Sequence, residues 1–380
     1  MDAIVAYGLT KEYNGQLALD GLNLQVPEGT AMACAGREGS GKTTLIRLLA
    51  GLCRPTSGEC SIYGMSPAHE SAKLHGAAGV VLGSAPLYGG MTLAENLRFF
   101  AGVHNVDQND GAERSSFLLH QLDIWEERDQ SAGSLPTSVA RRASLARALM
   151  HRPRVLLLDD PAQGLDMETA EVVQGLLAYL LEEESLTLLL CTQNMGFAQK
   201  VCGSFTLLRE GAMLARGDFD SLREGAGVWP RAALRLAEGG KPPQGFRLEG
   251  GLWQKEIRSE EEMPAIIAQA VGEGRSLYEA KLIRPTLEEV YQAYLEGGRR
   301  REAPAYGEGD RPEPEVPAEK PAGPAGEGPG QPAACPAGYS PQPGPAAAPG
   351  PHAPDGSSCP GDGEAPPAGE AALGATTQGE

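Results

Sequence analysis

Over the first 220 residues, short and almost wholly apolar runs alternate with stretches of helical periodicity. The runs at 30–35, Val155–Asp159 and 187–191 have the length and composition of strands buried on both faces. Residues 204–208 and 212–216 read as two further strands joined by Glu210-Gly211, a small hairpin. Between 92 and 127 the apolar spacing turns helical, with Leu93, Leu97 and Phe100, then Phe117, Leu118, Leu122 and Trp125. This alternation predicts an α/β fold with helices layered around a mostly parallel sheet. No internal repeat is visible.

A second, smaller α+β unit is expected at 228–297. It opens with a basic-edged helix at 230–237 and continues with a Glu-rich helix start at 259–263 running into 266–271. It closes with a helix at 286–295, for which Thr286 fits an N-cap and Glu288-Glu289 an acidic first turn. Beyond Arg301 the composition changes abruptly: 18 of the 30 prolines fall in 302–380, among glycine and alanine. Such a stretch buries too little apolar surface to offset chain entropy, so 301–380 is expected to be a disordered, acidic Pro/Gly/Ala-rich tail. The division expected is therefore 1–222, 228–297 and 301–380.

Charge narrows the function. The formal net charge is −18, and residues 301–380 carry half of it, with 12 acidic against 3 basic side chains. A broad nucleic-acid surface needs clustered Lys and Arg, so no nucleic-acid partner is expected. No run of apolar residues is long enough to span a bilayer, and the start Met1-Asp2-Ala3-Ile4 lacks the basic and apolar regions of a signal peptide. The seven cysteines form no C-x-x-C pair, as expected of reduced thiols in a cytoplasmic protein.

The strongest local motif is Gly36-Arg37-Glu38-Gly39-Ser40-Gly41-Lys42-Thr43, a full match to G-x-x-x-x-G-K-S/T. An apolar strand precedes it and a helical run from Thr44 to Leu49 follows. Glycines let the backbone curl with its N–H groups inward, an anion nest at a helix N-terminus. Gly36, Gly39, Ser40, Gly41, Lys42, Thr43 and Thr44 are thus the expected phosphate-binding residues, Lys42 neutralising the β/γ-phosphates and Thr43 placing its hydroxyl on Mg²⁺. The apolar strand Val155–Asp159 ends in a carboxylate at the edge of the sheet where ligands of α/β folds collect. There Asp159 joins Thr43 as a metal-site residue.

With these in place, the chain resembles the ATP-binding cassette family over about residues 3–220. Ser144-Leu145-Ala146-Arg147-Ala148-Leu149, then Pro153, Leu156-Leu157-Leu158-Asp159-Asp160-Pro161 and Gly164-Leu165-Asp166 are similar to that family's signature helix, Walker B strand and D-loop, in order. The resemblance implies a P-loop NTPase cassette with a helical subdomain at about 83–150, ATP and Mg²⁺ as cofactors, and Tyr13 stacked on adenine. Leu282-Ile283-Arg284-Pro285-Thr286-Leu287-Glu288-Glu289-Val290-Tyr291 resembles the closing segment of ATPase subunits from drug-resistance-type bacterial exporters, whose permease is a separate chain.

Four positions depart from the family pattern. Gly83 stands where the Q-loop Gln contacts Mg²⁺ and water. Leu135-Pro136-Thr137-Ser138-Val139 replaces Leu-Ser-Gly-Gly-Gln, which caps the γ-phosphate of a partner cassette; Pro136 has neither hydroxyl nor N–H, while Ser134 is expected to cap the helix. Asp160 replaces the Glu that activates the attacking water. It is shorter by one methylene, about 1.5 Å, a displacement that costs on the order of 10²-fold in rate. Gln193, in Cys191-Thr192-Gln193-Asn194, takes the place of the switch His; it donates a hydrogen bond but carries no charge.

The resemblance therefore implies an ATP-binding subunit of an ABC transporter with impaired hydrolysis, Asp160 and Gln193 being weak substitutes at the catalytic positions. Its partners would be a separate membrane permease and a second cassette, either a copy of itself or an intact paralogue. Its place would be the cytoplasm, peripheral on the inner face of the membrane. The alternative is a non-hydrolysing regulatory or scaffolding partner of an intact cassette subunit. Whether the chain is an active ATPase stays open at this point.

Overall fold

Polar–apolar alternation at the start of the chain builds a long antiparallel ribbon. In the computed structural model, which describes residues 1–83, 87–237 and 243–297, strand β1 (Asp2–Tyr13) returns as β2 (Gln16–Pro27) through Asn14-Gly15, both at positive φ. β3 (Ala31–Ala35) and α1 (Lys42–Leu49) follow, and β4 (Ser57–Ile62) pairs with the free edge of β1 to complete the order β2-β1-β4. α2 (Ser71–Ala77) then leads into β5 (Ala78–Val81).

The helical stretch is α3 (Leu93–Val103), α4 (Gln108–Gln121) and α5 (Thr137–Leu149). β6 (Val155–Asp159), α6 (Met167–Glu183), β7 (Thr187–Thr192), α7 (Met195–Val201), β8 (Ser204–Arg209), β9 (Ala212–Asp218) and α8 (Phe219–Ala226) continue the layered core. The main sheet has the order β5-β6-β7-β3-β8-β9. Its pairs are parallel except β8 with β9, the small hairpin expected from the sequence. The α/β fold with a mostly parallel sheet is therefore present.

Every residue of β6 and β7 is buried, and side-chain alternation divides them between two faces. Leu156, Leu158, Leu188 and Leu190 pack with α3–α6. Val155, Leu157, Leu189 and Cys191 pack with α1 and the β1–β2 ribbon. A strand covered on both sides has no polar positions to spare, which is why these runs are continuously apolar.

The C-terminal part holds β10 (Arg231–Leu236), β11 (Arg247–Glu249), β12 (Leu252–Glu256), α9 (Glu262–Gly272), β13 (Leu277–Ile283) and α10 (Leu287–Gly297). Its sheet runs β11-β12-β10-β13, antiparallel throughout. The helix expected at 230–237 is instead β10. Ala232 and Leu234 join Ile257 and Ile266 in a small core, while Ala233 on the opposite face is buried as well. Alanine favours a helix in isolation, but a central strand covered on both sides wins through packing. α10 leaves this sheet, and its Leu287, Val290 and Tyr291 enter the main core beside Leu207 and Phe197. The acidic tail expected at 301–380 lies outside the described residues. Among the described residues no helix is long and apolar enough to cross a membrane.

Candidate functional site

Parallel strands β3, β6 and β7 end side by side, so their carboxyl ends bring Gly36, Asp159 and Thr192 to one edge of the sheet. After β3 the chain turns through Gly39 (φ +77°) and Gly41 (φ +96°) into α1. No side chain caps α1 at Gly41, which leaves the orphan N–H groups of its first turn as donors for an anion. Two glycines are sterically required. A Cβ on Gly36 would stand 2.5 Å from the Leu208 carbonyl oxygen and 2.6 Å from Ser40 Oγ, and one on Gly41 would stand 2.5 Å from the Ala18 carbonyl oxygen.

Lys42 is 6% exposed, and its ammonium donates to the carbonyls of Gly36 (2.9 Å) and Arg37 (2.8 Å) and to Ser40 Oγ at 3.3 Å. These oxygens are neutral, so its charge is solvated by the loop rather than cancelled by a carboxylate. Thr43 Oγ1 donates to Asp159 Oδ1 at 3.2 Å. Burial raises the Asp159 carboxyl above the usual range, against the hydrogen bond from Thr43, which lowers it. A cation beside it would offset that desolvation. A hydroxyl and a buried carboxylate oxygen, adjacent and hard, are donors of the kind Mg²⁺ takes.

Asp160 follows in the left-handed region, at φ +47°. Its Oδ1 accepts from Thr192 Oγ1 at 2.7 Å and from the Gln193 N–H at 3.0 Å, and its own N–H donates to the Cys191 carbonyl. The carboxylate is thus bonded to the end of β7. A cavity of about 330 Å³ gathers Gly39, Gly41, Lys42, Thr43, Thr44, Gly83, Asp159, Asp160 and Gln193 on one wall or another. Among the described residues, its chain neighbours aside, Gly83 has no heavy atom within 4 Å of where a Cβ would stand.

Tyr13 stands outside that lining. It is 41% exposed, its hydroxyl contacts Cys53 Sγ at 3.7 Å, and Lys11 Nζ lies 4.9 Å from its ring centroid. Partial burial, then Cys53, raises its hydroxyl above the usual value, while Thr44 works the other way.

At α5, Pro136 occupies the N-cap position (φ −54°, ψ 149°) and no side chain caps the helix. Ser134, expected to do so, lies in a 3₁₀ turn (Ala132–Ser134) and donates to the Ser131 carbonyl instead. Ser134 lies two residues before the N-cap, too early for its hydroxyl to meet the first helical N–H groups. Asp166 caps α6, accepting from the Thr169 N–H at 2.8 Å.

Four residues near the site carry no sign of it in the sequence. Thr192 binds Asp160, Gln163 shares the cavity, and Tyr291 with Gln292 touches the phosphate loop at Arg37. The contacts of Thr192, Tyr291 and Gln292 join segments far apart in the chain, and no local pattern announces them.

Comparison with known proteins adds the family. The ABC transporter family matches residues 19–163. The daunorubicin resistance ATP-binding protein DrrA3 of Streptomyces coeruleorubidus is 30% identical over 311 residues, 79% of this chain and 97% of that protein. The high-affinity branched-chain amino acid transport ATP-binding protein BraF of Pseudomonas aeruginosa is 31% identical over 242 residues, 58% of this chain and 93% of that protein. A solved ATP-binding subunit of an ABC transporter aligns with a TM-score of 0.55 at 23% identity, covering 60% of this chain and 94% of that one. A dimeric ATP-binding cassette in a post-hydrolysis state, bound to ADP and Pi, aligns with a TM-score of 0.52 at 23% identity, covering 57% and 98%. At that identity the structures speak for the fold, and the near-complete sequence matches carry the family. The chain belongs to the ATP-binding proteins of ABC transporters.

Proposed function

We propose that this chain binds Mg-ATP, couples it to a membrane permease on a separate chain, and hydrolyses it weakly. The observation that carries the reading is a division within one cavity. Lys42, Thr43 and Asp159, which would hold phosphate and metal, line that cavity together, while the carboxylate of Asp160 is bonded to Thr192 and Gln193. Gly36, Gly39, Ser40, Gly41 and Thr44 complete the phosphate cradle, and Tyr13 offers a face to the base. Thr43 and Asp159 hold Mg²⁺, which neutralises phosphate charge. Asp160 and Gln193 are left to orient water, the first on a side chain too short and the second without a charge.

The match to a drug-resistance ATP-binding protein continues past the cassette through much of the chain, and the reading keeps the division into 1–222 and 228–297. The proposal places the chain on the inner face of the membrane, held through a permease. A second cassette, a copy of this chain or an intact paralogue, would complete the ATP sandwich.

The test is ATP affinity and turnover of the purified chain beside the double variant Asp160→Glu, Gln193→His. Tight Mg-ATP binding is expected in both, with the parent turning over about tenfold or more below the variant. Equal turnover would make this an ordinary transport ATPase. One observation favours a second reading, a non-hydrolysing regulatory partner of an intact cassette. Pro136 sits at the N-cap of α5 with no N–H and no side-chain acceptor, which weakens the cap this chain would place on a partner's γ-phosphate. That reading expects no turnover even after the double substitution.

A further inference from the structure

Tyr291 of α10 is 1% exposed, and its hydroxyl lies between two backbone groups of the nucleotide-binding core. It donates to the Leu208 carbonyl at 3.0 Å and accepts the Arg37 N–H at 3.4 Å. That Leu208 carbonyl is the atom a Gly36 Cβ would meet. The phenol, the end of β8 and the first two residues of the phosphate loop therefore form one contact group. Arg37 is held from both sides, since its carbonyl accepts a hydrogen bond from the Lys42 ammonium at 2.8 Å. Its guanidinium donates to Gln292 Oε1 at 3.1 Å, one residue along α10.

The same helix is anchored at two other points. Its first N–H, at Leu287, donates to Gln199 Oε1 at 3.0 Å. Gln199 lies on α7, the helix that begins directly after Gln193. Glu289 accepts from Arg231 of β10 at 2.5 Å and closes a capping box with Thr286. One helix thus joins the C-terminal sheet, the helix after the switch segment and the phosphate loop.

We propose that α10 is a strut that sets the pose of the phosphate loop, with Tyr291 as its positioning residue, so that the C-terminal sheet bears on nucleotide affinity. This deepens the reading that the loop holds ATP and rests on it. An anion nest works only while its N–H groups converge. Removing the phenolic oxygen releases the Arg37 peptide from one side and leaves a part-buried N–H and a buried carbonyl without that partner. The loss should fall on ligands that carry phosphates, because the base is held elsewhere.

The experiment measures, by calorimetry on the full chain, the affinities of Mg-ATP, Mg-ADP and adenosine for the parent, Tyr291→Phe and Gln292→Ala, with the unfolding midpoint of each ligand-free protein. Tyr291→Phe is expected to weaken ATP and ADP about fivefold, the size of one net hydrogen bond, with adenosine unchanged and the midpoint lowered, as the two backbone groups that lose their partner require. Gln292→Ala, which cuts only the guanidinium contact, should weaken both nucleotides about twofold in the same pattern, and it serves as the readout if Tyr291→Phe does not fold. Unchanged ATP affinity in both variants overturns the strut, as does an equal loss for adenosine. No ATP binding by the parent overturns the nucleotide reading and the strut with it, so the two failures are separable.

Discussion

Lys42 keeps its ammonium almost wholly out of water, with the carbonyls of Gly36 and Arg37 as its nearest partners. A triphosphate competes for those protons with far more charge than a carbonyl, so the interaction is worth about 1.5–3 kcal/mol. Lys42→Ala should therefore weaken Mg-ATP binding by about 10- to 100-fold in a titration, with adenosine affinity unaffected. The loop and Asp159 were legible residue by residue, because glycine, lysine and a strand-ending carboxylate at fixed spacing have few other uses. The fate of Asp160 was not. Its shortness was visible, but its bonds to Thr192 and Gln193 depend on β6 and β7 ending side by side.

At the scale of elements, local chemistry decided most helix starts. Thr92 and Glu95 form a reciprocal capping box at α3, with Asn96 behind them donating to the Tyr88 and Thr92 carbonyls and accepting the Tyr88 N–H. Thr92→Ala removes one half of the box and should lower stability by about 1 kcal/mol. The check is a urea midpoint that falls while the m-value holds. Where local chemistry and packing disagreed, packing won. Residues 230–237 looked helical through their alanines and became the central strand β10, since small side chains suit a strand covered on both faces. Pro136 ended as the N-cap itself, with Ser134 taken into the preceding turn.

Across the whole molecule, α3 and α5 converge where His104 and His151 stack at 3.8 Å with rings 6° apart. Burial, then the neighbouring His104, pushes the His151 imidazole down to about 4, with the backbone at Ala78 offsetting this in part and Arg114 adding to it. His104 is lowered too, by burial and then by His75. An unfolded His titrates near 6.5. Below that pH the unfolded chain binds a proton that folded His151 refuses, so its contribution is complete above about 6.5 and is lost as pH falls toward about 4. The loss should be on the order of 2 kcal/mol after allowing for solvent screening of a ring that is not fully enclosed. His151→Phe, which keeps a ring in the stack, should flatten the pH dependence of the urea midpoint across that window.

By itself the sequence determined the α/β layering, the glycine-rich turn into α1 and the carboxylate that ends β6, since each is written in residues close together in the chain. It did not determine the 12-residue β1–β2 ribbon as such, the strand at β10, or the return of α10 to the core. Those depend on which faces are covered once the chain has closed on itself. Tyr291 illustrates the difference: as a sequence position it is one aromatic in a helix that starts well, and only the packing of α10 puts its hydroxyl against Leu208 and Arg37. Backbone groups accept partners from any distance along the chain. A contact between a side chain and a remote peptide therefore leaves no pattern to read until the tertiary structure has formed.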